Sequence, residues 1–239
     1  MAILNIKNLS VNYGPVAAVK GIDLSVAQGK IIAILGANGA GKSSTVNAIS
    51  GLVAHHADRI SFKEKSILAL GTEQRIKQGI TMIPEGRRVF PSLSVKENLL
   101  LGGYLLKSNK AELETTLEKM YALFPILAER NTQLAATLSG GQQQQLAIAR
   151  ALMSRPEIIM FDEPSLGLAP KIVETIFDLL VKLKEDGNTL LVVEQNVGMI
   201  LDVADYVYVM ANGEIRSQGT VDELGETEAI KRAYLGGKP

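Results

Sequence analysis

Alternating and continuous apolar segments divide the first part of the chain. Apolar and polar residues alternate over Ile3–Val11 and again over Gly21–Gly29, which is typical of strands with one exposed face, so we predict that these two strands pair in an antiparallel sheet. Lys30–Leu35 is an unbroken apolar run between glycines, as in a strand buried on both faces. Similar runs recur at Ile80–Pro84, Glu157–Phe161, Thr189–Val193 and Tyr206–Met210.

Helical patterns lie between several of these runs, and this alternation favours a mainly parallel α/β sheet. Asn212 and Gly213 predict a hairpin turn after the last run. Strand patterns disappear between residues 94 and 153, where Ser94 and Glu97 form a capping box before a helical segment. We therefore predict an inserted helical subdomain.

Length and composition set the domain prediction. A chain of 239 residues with 46% hydrophobic residues fits one large domain, so we place a single domain at 1–239 and its helical subdomain at roughly 94–155. Lysine and arginine number 25, as do aspartate and glutamate, and this balance argues weakly against a nucleic-acid partner.

Several kinds of site and segment are excluded or disfavoured by residue usage. The chain has no cysteine, which excludes disulfides and thiolate chemistry. His55 and His56 lie in a polar stretch and are interpreted as loop residues rather than metal ligands. The N-terminus lacks a signal-peptide pattern, and no apolar run reaches the ~20 residues of a membrane helix. We expect a cytoplasmic protein, soluble when isolated, whose membrane role requires a partner.

Residues 36–44, GANGAGKSS, carry the strongest chemical motif. They match G-x-x-x-x-G-K-[ST], in which glycines let main-chain N–H groups and a helix N-terminus surround phosphates. We expect Lys42 to reach the β- and γ-phosphates of ATP and the Ser43 hydroxyl to coordinate Mg²⁺. A glycine-rich turn of other purpose is the alternative, but here the required strand precedes and a helical pattern follows. The predicted phosphate-binding residues are Gly36, Asn38, Gly39, Ala40, Gly41, Lys42, Ser43 and Ser44.

Two carboxylates follow a later apolar run. Asp162 is expected to hold Mg²⁺ through water. Glu163, directly after it, is placed to polarise the water that attacks the γ-phosphate, a role that contributes roughly 10²–10⁴ in rate. The alternative is a pair of solvated acids at a strand end.

The segment Leu138–Gln142, LSGGQ, opens a second helix in an unusual way. Glycine lowers helix stability by about 0.8–1 kcal/mol relative to alanine inside a helix. Two glycines at this helix start therefore suggest that the main chain has to be accessible there. A second helix N-terminus offers a second anion site. Two such sites for one ATP suggest a pocket shared between two copies, and we assign Ser139, Gly140, Gly141 and Gln142 to a nucleotide held by another subunit.

Together these motifs resemble the ATP-binding cassette family over essentially the whole chain. Residues 36–44 match its Walker A motif, 138–142 its signature motif, 158–163 its Walker B motif and 165–170 its D-loop. The resemblance implies ATP hydrolysis and an α/β fold: a P-loop NTPase core with a mainly parallel sheet, an N-terminal antiparallel β subdomain and an α-helical subdomain insertion.

The family pattern also assigns three residues outside the phosphate loop. Tyr13 matches the aromatic residue that stacks on adenine, although a core tyrosine is the alternative. Glu85 stands where many cassettes have glutamine, and we assign it to metal or water. Gln195 stands where many have a histidine that orders the catalytic water; it can donate a hydrogen bond but cannot become cationic.

Within the family, several stretches of the sequence resemble the ATPase subunit of branched-chain amino-acid importers. The resemblance implies two membrane-spanning permease subunits, a second ATPase subunit (a paralogue or another copy), an external solute-binding protein and a place on the cytoplasmic face of the membrane. The permease contact is expected around Glu85–Leu100, where Phe90 and Leu93 are apolar and Arg87 and Arg88 are either contacts or a solvated pair. The resembling stretches are Pro84–Phe90, Glu163–Pro170, Val193–Asn196 and Ala233–Gly237.

Other functions remain open at this point. An importer of urea or short amides shares these features, and a catalytically degenerate cassette is suggested by Gln195 and Glu85. A soluble cassette ATPase acting on DNA or ribosomes would usually add a coiled coil, a second cassette or a basic excess. A P-loop kinase or small GTPase leaves LSGGQ unexplained.

Overall fold

A computed structural model describes residues 1–224, in which two sheets pack with helices around them. The strands are β1 Ala2–Tyr13, β2 Val16–Ala27, β3 Ile31–Leu35, β4 Arg59–Phe62, β5 Lys65–Ser66, β6 Ile80–Ile83, β7 Ile158–Asp162, β8 Thr189–Glu194, β9 Tyr206–Ala211 and β10 Glu214–Gly219. The helices are α1 Lys42–Ile49, α2 Thr72–Lys77, α3 Val95–Gly102, α4 Lys110–Leu123, α5 Pro125–Glu129, α6 Gly140–Leu152, α7 Pro170–Glu185, α8 Val197–Leu201 and α9 Val221–Leu224. The stretch Ala233–Gly237, which contributed to the importer resemblance, lies outside the described residues.

The sheet topology confirms the predicted α/β class. The central sheet has the order β10-β9-β3-β8-β7-β6, with parallel pairing everywhere except at the β9–β10 hairpin. The second sheet, of order β2-β1-β4-β5, is antiparallel. It confirms the pairing of the first two strands and adds β4 and β5, which the sequence pattern did not predict.

Strand β3 shows why its sequence is continuously apolar. Ile31, Ala33 and Leu35 belong to the core shared with helices of the 94–153 region and α7. Ile32 and Ile34 point to the opposite face, where the antiparallel sheet and α1 pack. Both faces of the strand are therefore buried from solvent, and each successive side chain has to be hydrophobic.

Residues 94–153 contain α3 to α6 and two 3₁₀ turns and, within the described chain, no β-strand. Ser94 Oγ accepts from the N–H of Glu97 while the Glu97 carboxylate accepts from the N–H of Ser94, which confirms the predicted capping box. Helices α3 and α6 approach closely, since a Cβ on Gly102 would lie 2.0 Å from the carbonyl oxygen of Arg150. The limits of a separate subdomain at 94–155 remain a prediction.

The carboxyl ends of the parallel strands collect the residues of interest. The chain leaves β3 into residues 36–41, leaves β7 at Asp162 and leaves β8 at Glu194, and all three ends meet at one edge of the sheet. In the described part of the chain, helices long and apolar enough to cross a bilayer are not found.

Candidate nucleotide-binding site

The loop between β3 and α1 is held in place by main-chain contacts. A Cβ on Gly36 would lie 2.4 Å from the carbonyl oxygen of Met210, and one on Gly41 would lie 2.4 Å from that of Ala18. Gly41 also has φ +103°, a conformation that L side chains rarely adopt. The Ala40 carbonyl oxygen accepts from the N–H of Gly213 in the β9–β10 turn at 3.0 Å. Contacts with its own chain therefore fix the shape of the loop.

Helix α1 begins with N–H groups available to a ligand. Its first main-chain hydrogen bond runs from Thr45 N–H to the Gly41 carbonyl oxygen at 3.0 Å, so the N–H groups of Lys42, Ser43 and Ser44 precede it. They border a cleft of about 980 Å³, large enough for a nucleotide. Its lining includes the predicted residues Tyr13, Asn38, Gly39, Ala40, Gly41, Lys42, Ser43, Ser44, Glu85 and Glu163. Gly36 lies beneath the loop, where its carbonyl oxygen accepts a hydrogen bond from Lys42.

Lys42 is almost fully buried and faces an acid. Its ammonium donates to the carbonyl oxygens of Gly36 at 2.9 Å and Ala37 at 3.2 Å, and it lies 3.1 Å from Glu163 Oε1. The Lys42 and Glu163 side chains are 3% and 9% exposed. The structure thus places the cation predicted for the phosphates beside the carboxylate predicted to activate water.

Ser43 and Asp162 supply oxygen ligands in direct contact. The Ser43 hydroxyl donates to Asp162 Oδ1 at 2.8 Å. Burial raises the pKa of the Asp162 carboxyl, and the nearby charges of Glu163 and Glu85 raise it further against the opposing hydrogen bond from Ser43 and the charge of Lys42. A divalent cation relieves this repulsion, and hydroxyl and carboxylate oxygens are ligands that Mg²⁺ prefers. Ser43 and Asp162 therefore fit the predicted Mg²⁺. Glu85, the third predicted metal ligand, is exposed and lines the same cleft.

Glu163 is held in an uncommon backbone conformation. Its φ is +47°, in the left-handed region that non-glycine residues seldom occupy. The N–H of Glu163 donates to the Val193 carbonyl oxygen of β8 at 2.9 Å, which fixes the turn against the sheet. Such strain persists only where the surroundings impose it, and it is concentrated at functional sites.

Tyr13 lies at the rim of the same cleft, at the end of β1. The residue is 48% exposed. The alternative of a core tyrosine is therefore wrong, whereas stacking on adenine stays a prediction.

A second, smaller cleft of about 280 Å³ joins Glu163 to Gln195 and Asn196. Gln195 is exposed there, and its N–H donates to the carboxylate of Glu194 at 3.0 Å. Glu194, which was not among the predicted site residues, is 1% exposed and accepts three main-chain hydrogen bonds. A charged residue ending an otherwise apolar buried strand was the only signal that could have identified it.

The signature segment lies apart from the residues that line the phosphate cleft. Ser139 caps helix α6: its Oγ accepts from the N–H of Gln142 at 3.4 Å, and the Gln142 Oε1 accepts from the N–H of Ser139 at 3.0 Å. This arrangement leaves the serine hydroxyl and the Gln142 amide nitrogen as available donors.

The two signature glycines also have reasons within the chain. A Cβ on Gly140 would lie 3.0 Å from the Arg87 guanidinium, and one on Gly141 would lie 2.8 Å from Cγ2 of Ile172. Approach of a nucleotide is therefore not their sole explanation. Arg87 is half-buried and donates to the Gly167 carbonyl oxygen at 3.4 Å, whereas Arg88 is exposed and donates to the Glu85 carbonyl oxygen at 3.4 Å.

An apolar groove of about 420 Å³ lies between the central sheet and the helical region. Phe90, Leu101 and Tyr104 are 47–57% exposed along it, and the Arg150 guanidinium lies 5.1 Å from the centre of the Phe90 ring. Arg150 also donates to the Arg88 carbonyl oxygen at 2.8 Å. The groove is thus connected to helix α6 and to the segment that follows β6.

Comparisons with known proteins bear on the same regions. A family model described as ABC transporter matches residues 19–166. The chain is 40% identical over 235 residues to the high-affinity branched-chain amino acid transport ATP-binding protein BraG of Pseudomonas aeruginosa, covering 98% of this chain and 100% of that protein. It is 33% identical to the lipopolysaccharide export system ATP-binding protein LptB of Escherichia coli, covering 99% and 98%.

The fold also matches solved structures. A crystal structure of the ADP conformation of MJ1267, an ATP-binding cassette of an ABC transporter, superposes with a TM-score of 0.87 at 30% identity, covering 99% of this chain and 100% of that one. The likeness spans the cleft, the helical region and the signature segment.

Proposed function

This chain belongs to the ABC transporter family as an ATP-binding, ATP-hydrolysing subunit, and we propose that it drives the import of branched-chain amino acids. The greater identity to BraG, and 34% identity to a probable branched-chain amino acid transport ATP-binding protein LivF of Archaeoglobus fulgidus, support this cargo. The likeness to LptB keeps lipopolysaccharide export as the second candidate.

The observation that carries the catalytic proposal is the contact of Lys42 with Glu163 beside the Ser43–Asp162 pair. Lys42 and the N–H groups of the loop bind the phosphates, and Ser43 and Asp162 hold Mg²⁺, which neutralises phosphate charge when bound. Once the γ-phosphate draws Lys42 away from Glu163, the carboxylate is free to orient the attacking water. Gln195, across the smaller cleft, donates a hydrogen bond to that water or to the γ-phosphate.

We further propose that two cassettes close head-to-tail around two ATP molecules. The segment Ser139–Gln142 then faces the γ-phosphate bound by the partner's loop, with its helix N-terminus and serine hydroxyl as donors. Hydrolysis removes the group that both subunits contact, and the pair reopens. The partner is a second copy or a paralogous ATPase.

The apolar groove is the proposed contact with the permease. Phe90, Leu101 and Tyr104 are exposed large hydrophobic residues along one depression, which favours burial against a helix of another protein. The complete assembly is then two permease subunits, two ATPase subunits on the cytoplasmic face of the membrane and an external solute-binding protein.

Glu163→Gln tests the catalytic assignment. The amide keeps the size of the side chain but cannot accept a proton, so we expect turnover to fall by about 10²–10⁴-fold while ATP binding persists and a closed dimer accumulates. Steady-state ATPase assays, binding of a fluorescent ATP analogue and light scattering measure the three quantities. Glu185→Gln, at the exposed end of α7, is the matched control. Near-normal turnover in Glu163→Gln would remove Glu163 from this role.

The cargo is tested in proteoliposomes with the permease subunits that co-purify with the chain. We expect leucine, isoleucine or valine, presented with the binding protein, to stimulate ATP hydrolysis. Stimulation by lipopolysaccharide or by urea instead would replace the proposed cargo without affecting the ATPase assignment.

A further inference from the structure

Glu194 is a buried carboxylate at the junction of two loops of the site. It is the last residue of β8, is 1% exposed and lines the smaller cleft that Glu163 and Gln195 share. A buried charge of this kind is tolerated only when hydrogen bonds balance it. The partners of Glu194 therefore indicate what it holds.

Its two oxygens bind different loops. Oε1 accepts from the N–H of Ser165, in the segment after β7, at 3.0 Å. Oε2 accepts from the N–H groups of Gln195 at 3.0 Å and Asn196 at 3.2 Å, in the segment after β8. Hydrogen bonds to an ionised acceptor are stronger than neutral ones, so the carboxylate is a firm link between the two segments.

The link also closes the turn that contains Glu163. Main-chain pairing of β7 with β8 extends to Asp162 opposite Val193, and the N–H of Glu163 still donates to the Val193 carbonyl oxygen. The left-handed Glu163 then turns the chain away from β8. Two residues later, the Glu194 carboxylate provides the acceptor that the main chain of β8 can no longer supply.

We propose that Glu194 is a positioning residue for ATP hydrolysis, which fixes the loop of Glu163 with one oxygen and the loop of Gln195 with the other. The two loops then keep a constant separation across the cleft where water and γ-phosphate are expected. The inference rests on the proposed role of Glu163. It assigns Glu194 no contact with the nucleotide.

Glu194→Gln tests the link at constant side-chain size. An amide has one acceptor oxygen, and its NH₂ group faces an N–H donor, so one of the two loops loses its partner. We expect kcat to fall about 10- to 100-fold, as for a catalytic group displaced by about 1 Å, while KM for ATP and binding of a non-hydrolysable analogue change less than twofold. Glu194→Asp keeps both acceptors on a shorter side chain, and its kcat is expected between those of wild type and Glu194→Gln. Glu185→Gln is the control for loss of a carboxylate.

The outcomes separate positioning from a purely structural role. An unchanged kcat in Glu194→Gln overturns the proposal, and so does a loss of kcat that is matched by loss of ATP binding and thermal stability. If Glu194→Gln does not fold, Glu194→Asp decides: lowered kcat with unchanged ATP binding supports the link, and unchanged kcat overturns it. Glu163→Gln, assayed in parallel, reports separately on the premise, because an active Glu163→Gln defeats the proposed function whatever Glu194 does.

Discussion

The starts of α1 and α6 both contain glycines, but different neighbours exclude a side chain there. At α1, the atoms that a Cβ on Gly36 or Gly41 would meet are main-chain carbonyl oxygens, each 2.4 Å away. At α6, the atoms facing Gly140 and Gly141 belong to side chains, the Arg87 guanidinium at 3.0 Å and Ile172 at 2.8 Å. Main chain in a packed sheet cannot move aside, whereas the end of an arginine side chain can.

The difference indicates where each motif has its function. The loop before α1 is completed by its own chain, since strands β2 and β9 and the β9–β10 turn contact it. At Gly140 only the end of the Arg87 side chain limits a Cβ, so a strict need for glycine at that position has to come from something that approaches from outside, whereas Ile172 limits Gly141 within the chain.

Gly41→Ala should have the largest effect. The substitution forces an L residue to φ +103° and places a methyl group against the Ala18 carbonyl oxygen, so we expect a loss of about 3–5 kcal/mol in the free energy of unfolding from strain and overpacking together. ATP affinity should fall at least 100-fold, because the loop must change shape to relieve the contact. Urea unfolding followed by circular dichroism and titration with a fluorescent ATP analogue measure the two effects.

Gly187→Ala is the matched control for backbone strain alone. Gly187 has φ +90° with open space around its Cβ direction and follows α7, away from the cleft. We expect a loss of about 1–2 kcal/mol and unchanged ATP affinity. Equal effects of the two substitutions would contradict the role assigned to the Ala18 contact.

Arg75 should have the next largest effect, at the opposite end of α1. Its guanidinium, in a residue 1% exposed, donates to the carbonyl oxygens of Ala48 and Ile49 at 2.7 Å and of Leu70 at 2.8 Å. Arg75→Met leaves these carbonyls without their donor, so we expect a loss of about 3 kcal/mol in the free energy of unfolding. Arg75→Lys, which retains the charge but not the planar donor group, should recover only part of it. Wild-type stability in Arg75→Met would show that α1 does not depend on this cap.

Arg75 and Glu194 illustrate why some contacts could not be predicted from the sequence. The phosphate loop, Asp162, Glu163 and the Ser94–Glu97 capping box are local: their partners lie within a few residues, or strand ends bring them to one edge, so spacing predicts them. Arg75 binds carbonyls 26 and 27 residues earlier, and Glu194 binds Ser165, 29 residues earlier. Their partners are main-chain groups, which every residue type has, so no second side chain in the sequence marks the contact.

The contacts of the signature glycines were hidden for a related reason. Arg87 and Ile172 reach Gly140 and Gly141 from distant segments, so the glycines alone suggested an external ligand as the full explanation. The strands β4 and β5 were missed because they are short and half of their residues are exposed. The sequence predicted well the elements that are buried or have periodic apolar residues and that are bounded by glycines, prolines or capping residues.

Gly140→Ala should have the smallest effect on the chain by itself and a selective effect on turnover. Alanine favours the helix by up to about 1 kcal/mol, and the Arg87 guanidinium can move by the few tenths of an ångström that the new methyl group needs. We therefore expect stability within about 1 kcal/mol of wild type and unchanged ATP affinity. If the segment completes a partner's site, the methyl group keeps the backbone from the γ-phosphate, and ATPase activity should fall at least tenfold. In wild type, a site shared between two subunits makes the specific ATPase activity rise with protein concentration, and this rise should disappear in Gly140→Ala.

Arg87→Ala in the same background removes the internal contact, so restored activity would assign the defect to Arg87, whereas a persistent defect assigns it to a partner's nucleotide. Full activity in Gly140→Ala alone would show that this helix start does not face a phosphate.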